Sequence, residues 1–179
     1  MKYRQYGFTL VELLITVAIV AVLASLAVPS FRIMFVKRSV QAAADALVSD
    51  MRYARSEAVK RSAKAVICRS TNGSSCAGYG NWSDGWLVFI DMDGNSAVDA
   101  ADQIVRVQQT WSTIATIQSL NPTNDLPKFI YEPTGFAKGA QQTFIFTPSG
   151  SDSAGLTRLV CISSTGRAAL KAVGAASCS

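Results

Sequence analysis

The residues of this 179-residue chain that could do chemistry gather in a few places. The run Asp91-Met92-Asp93-Gly94-Asn95-Ser96-Ala97-Val98-Asp99-Ala100-Ala101-Asp102 sets the side-chain oxygens of Asp91, Asp93, Asn95, Asp99 and Asp102 at loop positions 1, 3, 5, 9 and 12. That is the ligand spacing of an EF-hand-type calcium loop. Glycine stands at position 4 instead of 6, however, and position 12 is Asp, shorter than the usual bidentate Glu. Asp, Asn and Gly are also what a hairpin turn uses. The departures favour a plain turn, with calcium the alternative; no other cofactor is expected. The chain has no histidine, so the commonest general base and metal ligand is missing. No Ser/His/Asp or Cys/His set and no phosphate-cradling glycine loop is present, and no enzymatic activity is expected. Cys68, Cys76, Cys161 and Cys178 lack C-x-x-C spacing, against zinc. An even count behind an export-type segment fits two disulfides. Three pairings are open; Cys68–Cys76 and Cys161–Cys178 are favoured because each closes a polar loop, with free buried thiols the other possibility.

One further carboxylate stands where it is least at home. From Phe8 to Val28 only Thr9, Glu12, Thr16 and Ser25 are polar. As a helix, 8–28 is about 31 Å long, enough to cross a bilayer core. The three hydroxyls can return to the helix backbone. Glu12 cannot, and a carboxylate at the bilayer midplane costs about 2.5–3.5 kcal/mol, so it calls for a partner. A secretory signal cut near Ser25-Leu26-Ala27 and a generic single-span anchor are the competing readings. Basic residues flank both ends (Lys2 and Arg4; Arg32, Lys37 and Arg38), leaving orientation to the cysteines, which favour an exported carboxyl-terminal part. The net charge of +5 falls to +3 without Lys2 and Arg4, a mild excess.

Gly7-Phe8-Thr9-Leu10-Val11-Glu12-Leu13-Leu14, behind a short basic leader, resembles the class III signal of type IV pilins and type II secretion pseudopilins. The resemblance implies removal of residues 1–7 by a prepilin peptidase cutting between Gly7 and Phe8, then N-methylation of Phe8. It also implies that Glu12 helps the subunit join a filament. A neighbour's terminal ammonium is a suitable partner for that carboxylate. Pro29 falls where the long pilin helix bends, and proline there removes a backbone donor.

The elements that must position these groups follow from periodicity. Past Pro29, Val36, Val40, Ala43, Leu47, Met51, Ala54 and Ala58 recur at helical steps, predicting an amphipathic continuation over 29–63. Beyond it the period becomes two, with strands expected at 65–69, 86–91, 104–108, 128–131, 143–147, 158–162 and 167–173. One helix followed by strands indicates an α+β fold, a long kinked helix on an antiparallel head of residues 64–179. The stretches Met51–Arg61, Gly85-Trp86-Leu87-Val88-Phe89-Ile90-Asp91 and Ser164-Thr165-Gly166-Arg167 resemble the FimT/FimU-like minor pilins grouped with the pseudopilin GspH. That resemblance implies a minor pilin in an initiating or tip complex, single-pass in a bacterial inner membrane with its head in the periplasm. Its implied partners are major and minor pilins, the prepilin peptidase and an inner-membrane assembly platform. Some FimT-like pilins capture DNA through a Gly-Arg-x-Arg element. Here Gly166-Arg167-Ala168-Ala169-Leu170-Lys171 has Ala169 in place of the second arginine, leaving Arg167 and Lys171 on one strand face as the DNA-binding candidates.

Overall fold

The structure is a computed structural model that describes residues 7–121, 124–138, 141–150, 155–175 and 177–178, with the backbone alone at 26–30, 120–121 and 124–125. It comprises two compact units, Met1–Phe35 and Val36–Ser179. Leader residues 1–6 and the Pro29 side chain lie outside the described residues. A single helix, α1 (Leu10–Arg61), runs through both halves of the predicted helical region. It stops where Ser62 takes a φ of 52° and the Ala63 N–H reaches back to the Ala58 carbonyl, satisfying an orphan acceptor of the last turn.

In the first unit the large side chains of α1 are exposed at consecutive positions, including Leu13, Leu14, Ile15 and Val17. They therefore occupy every face of the helix. Among the described residues no helix is long and apolar enough to cross a membrane. The expected span of 8–28 needs residues whose side chains are not described.

In the second unit the predicted stripe is the helix's buried face. Val40, Ala43, Leu47, Met51, Ala54 and Ala58 are fully buried, and Val36 packs at its edge. The strands are β1 (Lys64–Arg69), β2 (Trp86–Asp91), β3 (Gln103–Gln108), β4 (Ile114–Asn121), β5 (Asn124–Asp125), β6 (Lys128–Tyr131), β7 (Gln142–Pro148), β8 (Arg158–Ile162) and β9 (Ala168–Leu170). They form two antiparallel sheets, ordered β3-β2-β1-β6 and β5-β4-β7-β8-β9. Every residue of β2 is buried. Trp86, Val88 and Ile90 join the main core with α1, while Leu87 and Phe89 join Val66 and Cys68 in a second cluster, roofed by Cys76 and Val98. Both favoured disulfides are present, Cys68–Cys76 and Cys161–Cys178.

The last strand is shorter than predicted. It ends at Leu170 because the chain turns over 172–175, where the Ala175 N–H meets the Ala172 carbonyl and Gly174 has a φ of 74°.

Candidate functional site

Three regions carry the candidate residues. At the amino end, Gly7 and Phe8 precede the first turn of α1, and Phe8 is 81% exposed. Thr9 caps the helix, its Oγ1 accepting from the Glu12 N–H at 3.2 Å. Glu12 therefore lies in the first turn, where a carboxylate complements the helix dipole. The Thr16 and Ser25 hydroxyls donate to the Leu13 and Val22 carbonyls. Their polarity is thus absorbed within the helix, and Glu12 keeps an exposed charge amid apolar neighbours.

In the loop between β2 and β3, carboxylate oxygens of Asp91, Asp93 and Asp102 lie within 4.8 Å of one another. The other two predicted ligands are turned to internal work. The Asn95 side-chain Oδ1 accepts from the Ala97 N–H, and its Nδ2 donates to both Asp93 and Asp99. Asp99 also accepts from the Ala101 N–H, and these bonds hold its carboxyl below the usual range. Asp91 is buried and accepts from the Gly94 and Ser96 N–H groups, while Asp102 accepts from those of Met92 and Asp99. Two ammonium groups already approach the loop: Lys64 donates to the Gly94 carbonyl and Lys128 to that of Ser96. The arrangement is a self-bonded turn that brings three carboxylates together.

At the carboxyl end, Arg167 and Lys171 flank β9 and line one groove with Ala169 and the Cys161–Cys178 bridge. A neighbouring groove sets Arg167 across from Arg52 and Arg55 of α1. Gly166 makes this possible. Its φ is 80°, and a Cβ there would lie 2.7 Å from the Gly135 carbonyl oxygen and 2.8 Å from the Tyr131 ring. The Tyr131 hydroxyl donates to the Gly166 carbonyl, and burial holds its pKa above the ordinary phenol range. Arg52 and Arg55 lie off the apolar stripe of α1, between its members Met51, Ala54 and Ala58. Their i, i+3 spacing was visible, but which strand they would face was not.

A buried carboxylate also escaped notice. Asp50, on α1, accepts from the Trp86 indole N–H at 2.9 Å. Burial raises its pKa above the carboxylate norm, against the pull of that bond and of the Arg106 charge.

Comparison with known proteins agrees with this geometry. The family described as type II transport protein GspH matches residues 43–166, and the prokaryotic N-terminal methylation motif matches residues 2–28. The chain is 29% identical over 169 residues to the pilin-like protein PilA1 of Thermus thermophilus, covering 92% of this chain and 97% of that protein. Two crystal forms of the type IV minor pilin FimU of Pseudomonas aeruginosa strain PAO1 share the fold. The P21 form aligns with a TM-score of 0.57 at 21% identity, over 75% of this chain and 90% of that one. For the P65 form the TM-score is 0.54 at 21% identity, with 74% and 92% covered.

Proposed function

Because the chain belongs to the GspH family and carries the N-terminal methylation motif, we propose that it is a minor pilin acting in initiation or tip assembly of a type IV pilus. The observation that carries this reading is Glu12, an exposed carboxylate in the first turn of α1, whose stretch in the first unit carries apolar side chains on every face. Such a helix is stable only when lipid or other helices cover it. In this reading, a span over 8–28 holds the precursor in the inner membrane with its head outside the cytoplasm. A prepilin peptidase hydrolyses the Gly7–Phe8 amide, which lies in exposed, non-helical chain ahead of the helix. The freed Phe8 amine is then methylated. It stays a cation, and the corresponding ammonium of an adjacent pilin pairs with Glu12 as the helix leaves lipid for the filament. In low dielectric an unpaired Glu12 is strongly disfavoured, so the pair selects one axial register. A bend at Pro29 lets neighbouring helices pack, and the assembly platform supplies the extraction work.

Mass spectrometry of the mature chain tests the first step. An N-methylated Phe8 terminus is expected; a chain beginning at Val28 would overturn the proposal. Glu12→Ala is then expected to leave cleavage intact while removing the subunit from sheared filaments. The family description favours a second reading, a pseudopilin of type II secretion, whereas the name of the Thermus relative favours a pilin. Deletion in the native host separates them, through loss of surface pili or loss of exoprotein secretion.

A further inference from the structure

Strand β9 hydrogen-bonds to β8 alone and closes one side of its sheet. Its register shows where the remaining main-chain groups point. The Lys171 N–H donates to Leu159, and the Arg167 carbonyl accepts from Ser163, so residues 167, 169 and 171 face β8. By antiparallel alternation, Ala168 and Leu170 turn their N–H and C=O groups the other way. A groove runs along that side, lined by the consecutive residues Gly166 to Leu170 with Arg52 and Arg55 opposite. Consecutive residues can line one groove only if it follows the edge of the strand and not one face. The guanidinium groups of Arg52, Arg55 and Arg167 form no hydrogen bond or ion pair among the described residues, and Arg52 and Arg167 are exposed.

We propose that the free edge of β9 is a docking site for an extended acidic segment of another protein, added as one more strand. The edge supplies main-chain donors and acceptors, and the three arginines supply charge-assisted bonds to carboxylates on the incoming strand. Cations beside a short edge strand also serve to prevent uncontrolled pairing. Here they do so selectively, because they repel the equivalent basic edge of a second copy and admit an acidic one. This goes beyond filament insertion, which rests on the amino-terminal helix, so either idea can fail without the other.

The test uses the full chain in detergent micelles and a fluorescent octapeptide of alternating Asp and Val, read by anisotropy at low salt. Three further probes are the Asn-for-Asp peptide, two peptides N-methylated at odd or even amides, and a single-stranded oligonucleotide of equal charge. Expected results are binding of the parent peptide and its loss in at least one N-methylated form. Affinity is expected to fall about tenfold with Asn-for-Asp, and about tenfold in the Arg52→Gln/Arg55→Gln protein. Arg167→Gln should weaken binding similarly; Arg52 and Arg167 are exposed and Arg55 is half-buried, so an unchanged melting curve certifies each variant. Equal binding of both N-methylated peptides, no binding of the parent peptide, or binding of the oligonucleotide alone would overturn the proposal.

Discussion

Trp86→Phe removes the one indole N–H that serves the buried Asp50 carboxylate. A hydrogen bond to a charged group contributes about 1.5–3 kcal/mol, and the smaller ring leaves space unfilled. The expected cost at neutral pH is about 3–4 kcal/mol. Asp50→Asn keeps an acceptor facing the indole and abolishes the charge, so it is expected to change stability by no more than about 1 kcal/mol. The pH dependence carries the sharper signature. A carboxyl whose pKa is raised on folding binds its proton more tightly in the folded state. Its contribution is therefore fully present below the unfolded value of 3.8 and is lost as pH rises through the folded value. Glu57 acts oppositely: its bond to Arg61 and the nearby Lys60 lower its pKa, and its contribution is lost as pH falls. Subtracting the Asp50→Asn profile from the wild type cancels Glu57 and isolates Asp50. Residues 36–179 hold both disulfides and every residue of both core clusters, so urea unfolding of that head, followed by circular dichroism across the acid range, is the assay. A pH-independent difference would refute the reasoning, as would an Asp50→Asn protein as unstable as Asp50→Ala.

Three other outcomes follow from the same geometry. Gly85→Ala would set a Cβ 2.6 Å from the Gln108 carbonyl oxygen and 2.9 Å from that of Ser70 at a φ of 123°, costing about 2–4 kcal/mol by thermal melt. Replacing Cys161 and Cys178 with serine opens a link of sequence separation 17, worth about 3 kcal/mol, and replacing Cys68 and Cys76 one of separation 8, worth about 2.5 kcal/mol; denaturant midpoints should rank them in that order. Because Lys64 and Lys128 already bring positive charge to the carbonyls of the 91–102 loop, the melting temperature of the head is expected to be the same in millimolar calcium and in chelator. A clear rise with calcium would favour the cation-site reading instead.

Local signals made much of this molecule legible. The alanine-bearing stripe of α1 and the fully buried β2 declared themselves because burial on one helix face, or on both strand faces, leaves a regular pattern. Strand β4 did not. Its pairing with β7 shifts register between Ile114 and Thr116, so buried Ile114 and Ile117 stand three apart and the period of two is broken. Asp50 was illegible for another reason: an acidic residue between Ser49 and Met51 looks solvated until Trp86 arrives from a distant strand. The Arg52–Arg55–Arg167 grouping likewise depends on which strand ends up beside the helix. Local pattern carries the elements; the site across them is made by topology.

The burial of β2 on both sides has a consequence for how such heads diversify. The inner storey, helix against sheet, must keep its small and aromatic residues in step, and little there can vary independently. The outer storey is a thin cover of the loops bearing Cys76 and Val98, pinned by one disulfide and by Lys64 and Lys128. Insertions in those loops would alter what the head displays without asking the helix to repack. One scaffold can thus carry many surfaces, with changes confined to a detachable roof.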